Sequence, residues 1–189
     1  PDEVDVLIVG CGPAGLVLAA QWAASPDIKT RIDDRRPGPL ELGQADGVAC
    51  RTVEMFNAFG FAERLLKEAY WVNETVFWRP DSEDRTKIVR SGRIQDTEDG
   101  LSEFPHVIVN QARVHDYFLE VMRKSATRLV PHYNLHVMNV AVGDSADYPA
   151  TVTLQRMDRD RHGKELTVRA RYVVGCDGAR STVRQSIGR

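Results

Sequence analysis

The chain has 189 residues, of which 42% are hydrophobic and 28% are charged, and its formal net charge at pH 7 is −2. This composition is typical of a globular protein, and the near-neutral charge gives no reason to expect nucleic acid or an anionic membrane as a partner. No apolar stretch approaches the roughly 20 residues that a membrane-spanning helix needs, so we expect a cytoplasmic location. The cysteines lie far apart without metal-ligand spacing, which predicts no metal site.

The beginning of the chain reads as a strand, a helix and a second strand. An apolar run over 4–9 predicts the first strand, the Ala- and Leu-rich segment 13–24 predicts the helix, and residues 29–32 predict the second strand. Ser25-Pro26-Asp27 ends the helix between them. Strands joined in this way are parallel and form a right-handed crossover unit.

A glycine-rich turn over 10–15, GCGPAG, joins the first strand to the helix. In such a turn the first glycine permits the tight bend, the second lets the backbone approach phosphates, and the third lets the helix pack closely on the strand. Proline at the first helical position costs no hydrogen bond, and the free amides of a helix start attract anions. We therefore predict that the pyrophosphate of a dinucleotide is bound by Gly10, Gly12, Pro13, Ala14 and Gly15.

An acidic residue follows the turn at a suitable distance. Asp34 lies 19 positions beyond Gly15, at the end of the second predicted strand. Dinucleotide sites use an acid about 20 positions after the glycines to accept a ribose hydroxyl. We predict that Asp34 takes this role, although a simple NAD-dependent dehydrogenase would share all of these features.

The rest of the chain alternates helices and strands after a long loop over 35–47. Asn110 is suited to cap a helix, and the last three predicted strands form a meander that leads to a short helix. The predicted helices cover 51–59, 62–69, 111–127 and 181–187, and the predicted strands cover 74–79, 87–90, 107–109, 135–142, 151–157 and 166–174.

A second signature over 175–181, GCDGARS, follows the last predicted strand. Gly178 permits close approach of the backbone, although the Asp177-Gly178 pair is also typical of a common turn. Nucleotide-binding signatures at both ends of the chain suit a cofactor with an extended ribityl arm. The pairing therefore favours FAD over NAD.

Together with the glycine turn, four segments resemble the single-component flavoprotein aromatic hydroxylases, in the branch of phenol 2-monooxygenase and 3-hydroxybenzoate 4-monooxygenase. The segments are 43–47 (GQADG), 50–54 (CRTVE), 110–114 (NQARV) and 176–184 (CDGARSTVR). The resemblance implies an α/β fold, in which a Rossmann-type FAD-binding domain is interleaved with part of a substrate-binding β-sheet. It implies that residues 1–189 are an incomplete FAD-binding domain of a longer protein, and that 74–109 contribute to the substrate-side sheet.

The resemblance also implies a role for several side chains along FAD. The planar guanidinium of Arg51 would donate hydrogen bonds to two phosphate oxygens of FAD, although an exposed position on a first helical turn is the alternative. Gln111 would touch the ribityl or phosphate region unless it is only a polar residue at a helix start, and Gln44 would orient its loop or contact the flavin. The implied cofactor ligands are Gly10, Gly12, Pro13, Ala14, Gly15, Asp34, Arg35, Gln44, Arg51, Gln111, Asp177 and Gly178.

Asp33 departs from the family, which usually has an apolar residue at this position. The choice of ribose ligand between Asp33 and Asp34 therefore stays open. We interpret Asp33 as a solvated strand end, because aspartate is rarely fully buried. Arg35 and Arg36 either approach the adenosine or form a hydrated rim, and we favour Arg35 as the ligand.

The resemblance places the chemistry at Asp46, whose counterpart lies beside the substrate cavity in the phenol hydroxylase branch. A carboxylate that takes the phenolic proton enriches the ring carbon to be hydroxylated. The alternative for Asp46 is an Asp-Gly turn within a glycine loop. His106 is suited to bind a substrate carboxylate, because an imidazole can donate to an anion, whereas the alternative is a structural histidine beside a strand.

These features predict the FAD-binding part of an NADPH-consuming aromatic monooxygenase that uses O2 to hydroxylate a small phenol. 3-Hydroxybenzoate is the leading substrate and phenol the second. The competing classes are an NAD-dependent dehydrogenase and a non-catalytic flavin-fold module that binds a protein. We expect the whole protein to form a homodimer. We expect the chain alone to bind FAD poorly and to be inactive, because the isoalloxazine end would be incompletely enclosed.

Overall fold

The computed structural model describes residues 2–188, which divide into two compact units. Unit 1 contains the residues up to Glu41 and those from Val114 onward, and unit 2 is Leu42–Arg113. The helices are α1 (Pro13–Trp22), α2 (Cys50–Ala58), α3 (Ala62–Glu68), α4 (Gln111–Lys124) and α5 (Thr182–Ser186), and a short 3-10 helix covers Arg159–Arg161. The strands are β1 (Asp2–Val9), β2 (Thr30–Asp33), β3 (Gly47–Val48), β4 (Tyr70–Val72), β5 (Glu74–Pro80), β6 (Ile88–Gln95), β7 (His106–Ile108), β8 (Leu135–Val142), β9 (Ala150–Arg156) and β10 (Glu165–Gly175).

Unit 1 is built on a five-stranded sheet with the order β2-β1-β10-β9-β8. The central strand β1 runs parallel to both β2 and β10, whereas β9 is antiparallel to β10 and β8. Leu7 and Ile8 point to opposite faces of β1 and are both fully buried. A strand covered on both faces reads as a continuous apolar run, which explains why the apolar run over 4–9 predicted it.

Helix α1 connects the two parallel strands β1 and β2. It begins at Pro13, and the preceding Gly12 has extended backbone angles, as expected of a residue just before a helix. Its buried side is small or aliphatic and includes Leu16, Ala19 and Ala20. The predicted strand-helix-strand unit is confirmed, with α1 ending at Trp22 rather than at Ala24.

Unit 2 contains two small sheets and two short helices. One sheet has the order β3-β7-β4, and the other is the two-stranded ribbon β5-β6. Phe56 and Phe61 stack at 4.9 Å between ring centroids and join α2 to α3. Several large side chains stay at the surface of this unit, with Tyr70 at 74% and Trp78 at 59% exposure. Unit 2 therefore buries less of its own apolar surface than unit 1.

The remaining predicted elements agree with the structure in type. The Asn110 side chain accepts a hydrogen bond from the Ala112 amide at 2.9 Å, which confirms the predicted helix cap. Strands β8, β9 and β10 form the expected antiparallel meander. The sequence analysis missed β3 and β4, which have only two and three residues and show no periodicity. No helix between residues 2 and 188 has the length and apolarity to cross a membrane.

Candidate cofactor and substrate site

The two glycine signatures lie side by side at the carboxyl ends of the parallel strands β1 and β10. Val9 is in register with Gly175, and the Cys176 amide donates to the Val9 carbonyl at 2.7 Å. A Cβ atom on Gly10 would lie 2.9 Å from the Asp177 Cα. The two signatures that the sequence analysis assigned to one cofactor are therefore adjacent in the structure. In parallel sheets this edge is where nucleotides bind.

The three glycines of the first turn differ in what an added Cβ atom would meet. Gly10 has φ +102°, and a Cβ there would lie 2.5 Å from the Cys176 carbonyl oxygen. At Gly15 an added Cβ would lie 1.9 Å from the Gly10 carbonyl oxygen. A Cβ at Gly12 would meet nothing closer than the Cys176 oxygen at 3.9 Å. Gly10 and Gly15 are therefore required by the turn itself, whereas Gly12 leaves open space through which a ligand can approach.

Asp34 is buried beside this turn and its carboxylate is fully used by protein donors. The Cys11 amide donates to Oδ2 at 2.6 Å, and the Arg36 amide donates to Oδ1 at 2.8 Å. The Arg36 side chain also donates two hydrogen bonds to Asp34, from Nε to Oδ1 at 3.0 Å and from Nη2 to Oδ2 at 2.9 Å. A carboxylate offers about four acceptor positions, so these bonds fill them.

The charge state of Asp34 follows from these contacts. Burial raises the pKa of Asp34, but the hydrogen bonds from Arg36 and from the Cys11 amide outweigh it and hold the pKa below its ordinary value. Arg36 also donates from Nη2 to the Cys11 carbonyl at 2.9 Å. One arginine therefore holds both the carboxylate and the turn. The sequence analysis favoured Arg35, but Arg35 is exposed, and the arginine that contacts Asp34 is Arg36.

The interpretation of Asp33 as a solvated strand end is wrong. Its side chain is 0% exposed, and both of its oxygens accept from Arg31 Nε, at 2.8 and 3.0 Å. Arg31 continues the chain of charges by donating from Nη1 to Asp2 at 2.7 Å. Residues two apart in a strand share a face, so Arg31 reaches Asp33 and neutralises it there. Burial raises the pKa of Asp33, although the bonds from Arg31 act in the opposite direction.

Asp177 contacts the start of helix α5. Its Oδ2 accepts from the amides of Thr182 at 2.7 Å and Val183 at 3.2 Å, and its Oδ1 accepts from the Ser181 hydroxyl at 2.5 Å. Three of the four acceptor positions are thus occupied, and one remains for a ligand. The neighbouring Gly178 has φ +82°, a conformation that favours glycine.

Two side chains of unit 1 have buried polar atoms without partners among residues 2–188. Both ring nitrogens of His115 and the hydroxyl of Tyr133 make no hydrogen bond there. Burial lowers the pKa of His115 to about 4, with the positive charge of Arg36 acting in the same direction. Burial raises the pKa of Tyr133 to about 12. His115 is therefore neutral at physiological pH.

In unit 2, the loop over 43–47 is fixed to the segment that precedes and begins α4. The Gln44 amide donates to Gln111 Oε1 at 3.0 Å, and the Val109 amide donates to the Asp46 carbonyl at 2.9 Å. A Cβ on Gly43 would lie 2.5 Å from the Gln111 Cβ. Since Gln111 Oε1 accepts from the loop, its amide nitrogen is the group left to donate elsewhere.

Asp46 presents a free carboxylate in this anchored loop. The residue is exposed, and within the described residues its side chain has no hydrogen-bond or ionic partner. Its backbone carbonyl is nevertheless held by Val109. The loop therefore fixes the position of Asp46 while leaving its side chain available to a ligand.

His106 lies next to the same loop. A Cβ on Gly47 would be 3.4 Å from His106 Nε2, and the other ring nitrogen, Nδ1, is 2.8 Å from Asp96 Oδ2. The Thr75 hydroxyl lies 3.5 Å from Asp96 Oδ1 and can donate to it. The sequence analysis did not identify Asp96, because it lies in a turn that the pattern marks as solvated.

Arg51 lies at the exposed start of α2. Its side chain is 90% exposed and pairs with Glu54, three residues further along α2, at 3.0 Å. Glu54 Oε1 also accepts from the Ser102 hydroxyl at 2.7 Å. The role of Arg51 as a phosphate ligand stays a prediction.

An open cavity of about 750 Å³ lies within unit 2. Trp71, Ile94 and Phe104 give it apolar walls, and Gln95 and Pro105, which precede Asp96 and His106 in the sequence, line it as well. The cavity is therefore next to the Asp96–His106 pair and has room for a small aromatic molecule.

The structure groups the predicted residues within each unit. Unit 1 brings together the predicted phosphate-binding turn, the predicted ribose-binding acid and the second signature, whereas unit 2 brings together the loop carboxylate, the histidine and the glutamine that fixes the loop. The first group is Gly10, Gly12, Pro13, Ala14, Gly15, Asp34, Asp177 and Gly178, and the second is Gln44, Asp46, His106 and Gln111. These features define a nucleotide-binding α/β fold of the flavoprotein type.

The chain belongs to the FAD binding domain family, whose model matches residues 3–189. It is 64% identical over 190 residues to the 3-hydroxybenzoate 4-monooxygenase of Comamonas testosteroni, covering 100% of this chain and 30% of that protein. It is 34% identical over 184 residues to the phenol 2-monooxygenase fsqG of Aspergillus fumigatus, covering 97% of this chain and 29% of that protein. The family resemblance stated from the sequence is confirmed, with FAD as the cofactor of the family.

The fold is also shared with a solved structure. The p-nitrophenol 4-monooxygenase PnpA from Pseudomonas putida DLL-E4 matches with a TM-score of 0.81 and 21% identity, over 100% of this chain and 44% of that chain. The α/β fold class expected from the sequence is therefore confirmed. The chain spans about 30% of the length of the curated relatives described above.

Proposed function

We propose that the whole protein is an FAD-dependent aromatic monooxygenase that consumes NADPH and O2 and hydroxylates a small phenol. The observation that carries the proposal is the 64% identity, along the entire chain, to a 3-hydroxybenzoate 4-monooxygenase. The free carboxylate of Asp46 and the nearby His106 support it, because they supply the groups that a hydroxybenzoate requires. Bound FAD, once reduced, supplies the activation of O2 for oxygen transfer.

The residues of unit 1 would bind the nucleotide part of FAD. The amides that follow Gly12 at the start of α1 have no intrahelical acceptors and would hold the pyrophosphate. Asp34 would bind the adenosine ribose, and since its acceptor positions are full, a ribose hydroxyl has to replace one of the Arg36 bonds. Asp177 has one free acceptor position for a cofactor hydroxyl.

The residues of unit 2 would bind the substrate side. Asp46 would accept the phenolic proton and thereby make the ring richer in electrons at the carbon to be hydroxylated. His106 would donate from Nε2 to the carboxylate of 3-hydroxybenzoate. Gln44 and Gln111 would hold the loop in place, with the Gln111 amide nitrogen and Arg51 contacting FAD.

We further propose that residues 1–189 form part of the FAD-binding domain and that 74–109 belong to the substrate-side sheet. The exposed aromatic side chains of unit 2 support this assignment, because large exposed apolar surfaces mark binding surfaces. A cytoplasmic homodimer without nucleic-acid or membrane partners completes the proposal.

The test is substrate-stimulated NADPH oxidation by the purified whole protein with FAD, combined with product identification. We expect 3-hydroxybenzoate to accelerate NADPH oxidation and to yield the 4-hydroxylated acid. If phenol stimulates oxidation and yields catechol while 3-hydroxybenzoate does neither, the protein is a phenol 2-monooxygenase, which the presence of Asp46 also permits. The absence of stimulation by any phenol would favour a non-catalytic flavin-binding module.

A further inference from the structure

His106 is held on one side by a half-buried carboxylate. The Nδ1 atom lies 2.8 Å from Asp96 Oδ2, with the two side chains only 29% and 18% exposed. Asp96 Oδ1 is within 3.5 Å of the Thr75 hydroxyl, which restricts rotation of the carboxylate. All three residues lie in unit 2: Thr75 is on β5, Asp96 directly follows β6, and His106 is the first residue of β7. The imidazole ring is thus fixed by a partner ten residues away in the sequence.

This contact determines which hydrogen the ring can offer. A carboxylate accepts but does not donate when ionised, so Nδ1 carries a hydrogen toward Asp96. A neutral imidazole then has only a lone pair at Nε2, the nitrogen that faces Gly47, and this lone pair repels a substrate carboxylate. A protonated ring instead donates from both nitrogens. An anion at Nε2 therefore binds the charged ring, with Asp96 as the counter-ion on its opposite side.

Two other acids that line the same cavity are bonded to different partners. Glu74 Oε2 accepts from Arg93 Nε at 2.6 Å, and Asp99 Oδ1 accepts from the Gln95 amide nitrogen at 2.8 Å. Asp46 precedes Gly47 in the sequence, and its proposed partner is the phenol. Asp96 is thus the acid that contacts His106 directly.

We propose that Asp96 is a positioning residue that makes the protein select phenols with a carboxylate group over uncharged phenols. It does so by fixing the ring of His106 and by balancing the charge of its protonated form. The inference rests on the proposed function, in which His106 binds the substrate carboxylate. Asp96 itself touches neither substrate nor FAD.

The test is steady-state kinetics of the whole protein with Asp96→Asn, which keeps the shape of the side chain and removes its charge. We expect the KM for 3-hydroxybenzoate to rise about 10-fold, the scale of one lost charge-assisted hydrogen bond, with kcat changing less than about 2-fold. The inhibition constant of the uncharged analogue 3-hydroxybenzyl alcohol should stay the same, which a general disturbance of the pocket would not allow. Thr75→Val should raise the KM for 3-hydroxybenzoate in the same direction but by less.

Asp99→Asn is the matched control, because it removes one charge at the same cavity without touching His106. A KM increase of equal size in Asp99→Asn would overturn the inference, and so would a fall in kcat at unchanged KM in Asp96→Asn. His106→Asn separates the role of His106 as a substrate ligand from the role of Asp96 as a positioning residue. If His106→Asn raises the KM and Asp96→Asn does not, the role of Asp96 is wrong while the proposed function stands. If neither variant changes the KM, the proposed contact of His106 with the substrate is wrong as well.

Discussion

In unit 1 the Asp34 carboxylate beside the glycine turn is fully bonded to protein donors, whereas loop 43–47 of unit 2 presents an unbonded carboxylate at Asp46. Protein atoms lie within 3 Å of the Cβ positions that Gly10 and Gly15 lack, and Asp34 has no spare acceptor. The loop is fixed through its backbone only. Substitutions of Gly10 or Gly15 should therefore change folding together with cofactor binding, whereas substitutions in the loop should change chemistry alone.

The sharpest form of this comparison is Gly15→Ala against Gly12→Ala. The new Cβ at position 15 would lie 1.9 Å from the Gly10 carbonyl oxygen, so we expect a loss of more than about 4 kcal/mol in the free energy of unfolding, or no folded protein. At position 12 the nearest atom is 3.9 Å away, so the apoprotein should keep its stability within about 0.5 kcal/mol. Urea denaturation of the apoprotein measures both.

The same pair separates folding from cofactor binding. Gly12→Ala should weaken FAD binding at least about 10-fold, because its methyl group fills the space through which the pyrophosphate approaches. FAD titration followed by flavin fluorescence measures this affinity. Normal FAD affinity in a stably folded Gly12→Ala protein would show that the pyrophosphate binds elsewhere.

Asp46→Asn tests the other side of the comparison. We expect kcat for 3-hydroxybenzoate to fall about 100-fold or more, because the variant cannot take the phenolic proton. The melting temperature should not change, because the carboxylate is exposed and has no partner within residues 2–188. Asp144→Asn, in an exposed loop, is the control for loss of charge. A large drop in melting temperature with kcat preserved would show that Asp46 has a structural rather than a chemical role.

Arg36→Gln should destabilise the protein by about 2 kcal/mol, because it leaves the buried Asp34 carboxylate without its cationic partner. Arg35→Gln makes the same change in charge at an exposed position and should have an effect below about 0.5 kcal/mol. Chemical denaturation of both variants gives the comparison. Equal effects at the two positions would mean that the contact of Arg36 with Asp34 does not contribute to stability.

We expect the buried His115 to make the stability of the folded protein depend on pH, with a smaller effect than the substitutions above. The pKa of His115 is about 4 in the folded protein, whereas an unperturbed histidine in the unfolded chain has a pKa of 6.5. Between these two pH values the unfolded chain therefore binds more protons than the folded protein. Stability is fully retained above pH 6.5 and is lost as the pH falls toward 4, by at most about 3 kcal/mol. His115→Leu should remove most of this loss. His162→Leu, at an exposed turn, should leave the pH dependence as it is in the original protein.

The fold and the cofactor end could be predicted because their signals are local. The spacing from Gly15 to Asp34 is set by one helix and one strand, so it can be counted in the sequence. The burial of Asp33 could not be predicted in this way, because it depends on the packing of the sheet. The pattern nevertheless contained a signal in Arg31, which lies two residues earlier on the same face of the strand.

The substrate end was less predictable because its contacts join distant segments. Asp96 reaches His106 across a turn that reads as solvated, and strands β3 and β4 are too short to show a period. The choice between Arg35 and Arg36 depended on which side chain turns back toward Cys11, and adjacent positions give no information on this point.

The central claim is that the glycine turn and the second signature bind the same FAD molecule. A crystal structure of the whole protein with FAD tests it directly. We predict the pyrophosphate at hydrogen-bond distance from the amides that follow Gly12, and the carboxylate of Asp177 in contact with a hydroxyl group of the same cofactor. A pyrophosphate bound away from the turn, or an Asp177 that contacts only helix α5, would contradict the account.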